Sequence, residues 1–184
     1  SNPHFFLSAS QKQAFLQEVW EEVFVAFGLP LVVKLHPGEA SSAAYEAAWG
    51  LHRRGTAWDI SEEHPLRLVR DALFVVTFYS SLAVDAAAFG TPVIERNRLA
   101  DLDGHNESYC ATKPHRHLSP YAERGLSFHA HSKQEFATLV GRCVHETSKM
   151  GRMNHQAYLR TFYSPADALR VAADGVTEIL RRGA

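Results

Sequence analysis

Two adjacent hydroxyls, Ser80 and Ser81, stand between an apolar run at residues 73–78 and a run of small residues that closes at Gly90-Thr91-Pro92. If the small-residue run is a helix, its first amides have no helical partners and its dipole favours negative charge. Paired hydroxyls there could cradle a phosphate without a full positive charge. Asp85 follows Ser81 by four residues, which puts both on one helical face. A carboxylate so placed can accept hydrogen bonds from the two hydroxyls of a ribose. His36, held beside Pro37, can donate to a phosphate or to a base carbonyl. Ser10, Glu95 and Arg96 also sit at the ends of apolar runs. Lys113 and Arg116, in a polar stretch further on, could clamp a phosphate together with Arg96. Taken singly these residues are ordinary: Ser81 serves equally as a helix cap, His36 as a loop histidine, Asp85 as a solvated helix residue and Glu95 as a strand end.

Whether they meet depends on the elements between them. Phe15, Leu16, Val19, Val23, Phe24 and Phe27 recur on one helical face before Gly28 and Pro30. That spacing predicts a helix from Gln11, which Ser8 or Ser10 can cap. Phe5-Phe6-Leu7 reads as a short strand before it, and residues 31–35, 56–60, 73–78, 92–95 and 126–128 as five more. Between them the pattern predicts a helix from Ser41 or Ser42 to about Arg54, ended by Gly55. A short one follows from Ser61 through Val69, and another spans residues 82–89 with Gly90 just past its end. Residues 96–120 read as a long polar loop, a length that is usually functional or mobile. Helices follow at about 132–150 and 165–182, with a turn near 155–162.

Strands alternating with helices argue an α/β fold with a parallel sheet. LVVKL and LFVVTF barely alternate in polarity, as expected of strands buried on both faces. Right-handed crossovers then favour a doubly wound, six-stranded Rossmann-like sheet in the order 3-2-1-4-5-6 with C-terminal helices. The expected organisation is a single domain over residues 1–184, with 129–184 as its helical extension. Ligands of such sheets bind beyond the carboxyl ends, where the strand order reverses between strands 1 and 4. Strand 1 would end in Ser8-Ala9-Ser10, strand 4 in Tyr79-Ser80-Ser81, strand 2 in His36-Pro37 and strand 5 in Glu95, so all four polar clusters would share one rim.

Composition narrows the class. At 46% hydrophobic and 21% charged over 184 residues, the chain suits one soluble domain with a sizeable core. A formal net charge of -1 gives no overall pull toward nucleic acid or an anionic membrane. No apolar run approaches a membrane span and no signal peptide is visible. The two cysteines, Cys110 and Cys143, form no CxxC pair, which suits packing in a reducing cytoplasm. Eleven histidines include His115-x-His117 and His129-x-His131, a spacing that could chelate zinc. No cysteine accompanies them, so the expectation is no metal, with a metal-binding module as a rival reading. A non-catalytic nucleotide sensor using the same rim is another.

LVVKLHPGE, followed some forty residues later by LFVVTFYSSLAVDAAAFGTPVIE, resembles the C-terminal, donor-binding half of GT-B glycosyltransferases. The nearest likeness is to bacterial capsule and surface-polysaccharide enzymes with HP and SS motifs, the polysialyltransferase-like and CDP-glycerol-transferase-like proteins. It covers residues 30–95 and, beyond them, only the order of elements. The resemblance implies that His36, Ser80 and Ser81 bind the donor's nucleotide and phosphates. It also implies that Asp85, five residues before Gly90, holds the ribose where the family often has glutamate. The implied substrate is a CMP-, CDP- or UDP-linked sugar, with no further cofactor. A polysaccharide or lipid-linked acceptor would be held by an N-terminal half outside this sequence, and no catalytic residue is assigned here. Such an enzyme is expected in the cytoplasm, with room for peripheral association at the inner face of the membrane. A UDP-N-acetylglucosamine 2-epimerase, which shares the two-domain fold, is the alternative enzyme.

Overall fold

The structure, a computed structural model, describes residues 9–36, 41–50, 57–96 and 118–163. Helix α1 (Ala9–Val19) runs into a single π-helical stretch (Trp20–Val25). Strand β1 (Leu31–Val33), α2 (Ala43–Trp49) and β2 (Trp58–Ile60) follow, then α3 (Pro65–Asp71), β3 (Val75–Thr77), α4 (Leu82–Phe89) and β4 (Val93–Arg96). The chain continues through α5 (Pro120–Glu123), β5 (Phe128–Ala130), α6 (Lys133–His145) and α7 (Thr147–Phe162).

Among the described residues every strand pair is parallel, but the strands form two sheets, β1-β2 and β3-β4-β5, instead of one of six. Leu31 pairs with Trp58, Val75 with Val93, and Ile94 with Phe128. Each of these pairings is one that the expected order contains. The expected first strand, Phe5-Phe6-Leu7, lies outside the described residues, as do the expected helix at 165–182 and most of the polar loop. β1, β2 and β3 are shorter than the runs that encode them, β4 is shifted by one residue, and the last strand is displaced to Phe128–Ala130.

The helix boundaries move for local reasons. His64, not Ser61, caps α3: its ring nitrogen Nδ1 accepts the Leu66 amide at 3.3 Å, and Pro65 takes the first helical position, where a missing N–H costs nothing. Gly50, at φ 85°, stops α2 ahead of the expected end. The long helix expected at 132–150 breaks at Glu146, and α7 fills the stretch where only a turn was expected. The start of α6 is fixed by a reciprocal capping box: the Ser132 hydroxyl accepts the Glu135 amide, and the Glu135 carboxylate accepts the Ser132 amide.

Burial on both faces of β4 organises the core. Ile94 packs with Val19, Val23, Ala130, Phe136, Val140 and Met150 on the side of α1 and α6. Val93 packs with Val69, Ala83 and Ala86 on the side of α3 and α4. Leu31 of β1 and Val76 of β3 lean on the same cluster as Ile94, so the two sheets share one core. Cys143 is buried there and its thiol is pushed up to about 12 by burial, which leaves it a packing residue. Among the described residues, no helix is long and apolar enough to cross a membrane.

Candidate functional site

β3 delivers the chain through Phe78 and Tyr79 to Ser80-Ser81 at its carboxyl end, where α4 begins. The entry is tight. Ser81 is already helical (φ -59°, ψ -15°), the Ser80 hydroxyl accepts the Leu82 amide at 3.2 Å, the Ala83 amide donates to the Ser80 carbonyl at 3.1 Å, and the Val84 amide donates to the Ser81 carbonyl at 2.9 Å. The expectation of open amides in this first turn is therefore corrected at three positions. The Ser81 hydroxyl makes no capping bond and is exposed. Asp85 is half-buried one turn further along. The hydroxyl and the carboxylate thus share a face of α4, which Phe89, half-exposed, continues.

Glu95 has a different environment. It pairs in register with Thr77 on one side and His129 on the other, so the three form a polar row across the three-stranded sheet near its carboxyl edge. Alternation along β4 puts Glu95 on the side of Val93, toward α3 and α4, and it is fully buried. A carboxylate at this place suits a hydrogen-bond donor rather than a phosphate. At the end of the row, His129 Nδ1 lies 3.0 Å from His131 Nε2. Among the described residues, no group of three or more histidine, cysteine or acidic side chains is arranged to hold a metal.

Arg96 points the other way. Its guanidinium donates to both carboxylate oxygens of Glu18, at 2.8 and 3.1 Å, with further contacts to the backbone carbonyls of Ala130 and His131. A phosphate would have to compete with Glu18 for it. Ser10 falls in the first turn of α1 and is exposed. His36 is exposed just past β1, on the two-stranded sheet. The structure thus groups Ser80, Ser81 and Asp85, puts Glu95 on the α4 side of the same sheet, and leaves His36 at the end of the other sheet. Pro37, Lys113, Arg116, His115 and His117 lie outside the described residues.

Two features escaped the sequence reading. A cavity of about 540 Å³ opens beside β5, among Leu118, Phe128, Leu139, Met153, Gln156 and Arg160, away from the serine pair. The end of α7 is aromatic: the Tyr158 ring lies 5.1 Å from Phe162 and 5.7 Å from Tyr163, centroid to centroid. The Tyr158 phenol is raised above its usual range, first by its hydrogen bond with Tyr163, then by burial and by the charges of Tyr163 and Asp85. Tyr158 and Phe162, four apart, were a readable helical pair once a helix was assigned there. Comparison of the chain with protein-family models, with curated proteins and with solved structures gives no match.

Proposed function

We propose that this chain is the nucleotide-sugar donor-binding domain of a glycosyltransferase of bacterial capsular or surface polysaccharide synthesis. The reading is carried by one observation: Ser81 and Asp85 share a face at the start of α4, just beyond the carboxyl end of a parallel strand. A donor's phosphate would lie against the Ser81 hydroxyl at the positive end of the α4 dipole, and its ribose hydroxyls against Asp85. The doubly wound order 3-2-1-4-5-6 would bring His36, just past the end of β1, to the same rim. β1 and β3 are edge strands among the described residues, as that arrangement requires. In the full-length enzyme an acceptor hydroxyl displaces the nucleotide, and the charge gained by the leaving phosphate is stabilised by hydrogen bonds already in place.

Titration calorimetry of the chain with CMP, CDP and UDP tests this. At least one should bind, and Ser81→Ala, Asp85→Asn and His36→Ala should each weaken it about tenfold or more, the scale of a lost hydrogen bond to a charged group. No binding by any nucleotide, or unchanged affinity in all three variants, removes the reading.

A further inference from the structure

Helices α4 and α7 run antiparallel, and their contacts can be followed in order. Gly151 meets Gly90, the Nδ1 atom of His155 lies 3.1 Å from the Ala87 carbonyl oxygen, and Tyr158 and Val84 pack on the same cluster of Ala87, Leu126 and Ala157. One more turn of α7 brings Phe162 level with Ser80 and Ser81. The antiparallel register thus directs the last turn of α7 toward the end of α4 that carries the serine pair and Asp85, whose charge already acts on Tyr158. That turn leaves large rings in solvent: Phe162 is 52% and Tyr163 57% exposed. Both lean on the Tyr158 ring, whose own stacking partner is His155 at 6.3 Å.

We propose that Phe162 and Tyr163, backed by Tyr158, stack the nucleobase of the nucleotide whose pentose Asp85 holds; this rests on the reading of Ser80, Ser81 and Asp85 as a nucleotide site. The chemistry is complementary. A base presents two flat π-faces, which aromatic rings accept whatever the base. The neighbouring carboxylate suits the hydroxyl-rich pentose attached to it. An apolar protein surface would instead have to bury Asp85 without a partner. Stacking tolerates every base, so the rings contribute affinity, and discrimination between bases arises elsewhere in the site.

Calorimetry on the whole chain compares CMP with ribose 5-phosphate, which lacks the base. The wild type should bind CMP more tightly. The Phe162→Ala, Tyr163→Ala double variant should bind CMP about tenfold more weakly, leave ribose 5-phosphate unchanged and melt at the wild-type temperature. Tyr163→Phe, which keeps the ring, should retain most of the CMP affinity. If the wild type binds CMP and the double variant binds it equally well, or if both ligands weaken together, the stacking role is overturned while the site itself stands. Binding of no nucleotide by the wild type, CDP and UDP included, overturns both. AMP and UMP should follow CMP, and indifference of either to the double variant counts against the proposal.

Discussion

Gly151 of α7 rests against the carbonyl oxygen of Gly90, so closely that a Cβ built on Gly151 would stand 1.9 Å from that oxygen and 3.5 Å from Cδ of Pro92. Gly90 holds φ 73° to end α4, so its carbonyl is fixed and cannot yield cheaply. Gly151→Ala, which in an exposed helix would stabilise by about 1 kcal/mol, should here destabilise by roughly 1–3 kcal/mol through overpacking. Gly141 in α6 is the control. Its added Cβ would meet only Cζ of Phe27 at 3.7 Å, an ordinary contact, so Gly141→Ala should leave stability unchanged or raised. The melting temperature should fall for Gly151→Ala and not for Gly141→Ala, and a raised melting temperature for Gly151→Ala would refute the packing described.

Asn154 is fully buried and bridges two elements with its amide. Its Oδ1 accepts the Val93 amide at 3.2 Å, and its Nδ2 donates to the Gly125 carbonyl at 2.8 Å. Asn154→Leu keeps the branching and the number of side-chain heavy atoms but leaves both backbone groups without these partners. The expected loss is about 2–4 kcal/mol in urea unfolding, more than for an ordinary core substitution of equal size. A loss below about 1 kcal/mol would mean that water replaces the amide.

The Arg96–Glu18 pair is 12% and 22% exposed, and so differs from the solvent-exposed pairs such as Arg70 with Asp71. A double-mutant cycle of Arg96→Met and Glu18→Gln should show a coupling of about 1–3 kcal/mol, against less than about 1 kcal/mol for a pair at the surface. Nucleotide affinity should be untouched by Arg96→Met. A loss of affinity with no coupling to Glu18 would instead make Arg96 a phosphate clamp.

Glu135 makes stability depend on acidity. Its carboxyl is held below the usual range mainly by accepting the His131 amide at 2.7 Å, with the Ser132 amide and the nearby histidines adding to it. A carboxylate depressed in the folded state contributes stability that is present above its unfolded pKa and lost as pH falls through the folded value. The stability gap between wild type and Glu135→Gln should therefore be larger at neutral pH than in acid, and should close as pH falls below the ordinary carboxylate range. A gap independent of pH would show that the bonds do not need the charge.

Element type and order were legible from continuous apolar runs in the stretches that became β1, β3 and β4; β4 is buried on both faces, whereas Val32 of β1 is 60% exposed. That Ser81 and Asp85 share a face was legible for a different reason: residues four apart on a helix lie one above the other. Other parts of the site depend on long-range packing that no local pattern records. Nothing local in the sequence records that Glu18, from the first helix, pairs with Arg96. The amides of Leu82, Ala83 and Val84 read as open until the tight entry of α4 is seen. The aromatic end of α7 stayed hidden because Gly151 and Asn154 look like helix breakers; one is required by Gly90 and the other by Val93 and Gly125.

All the strand pairings described are parallel, and none can be nucleated by a hairpin. Ile94 must wait for Phe128, and the other side of β4 for Asn154 to reach Val93, before the strand is enclosed. Contacts of such high order fold slowly, and during synthesis β4 leaves the ribosome after β3, α3 and α4 but well before β5, α6 and α7, which complete its cover. One edge of the central strand is thus open to off-pathway association in the nascent chain, although it is closed in the finished one.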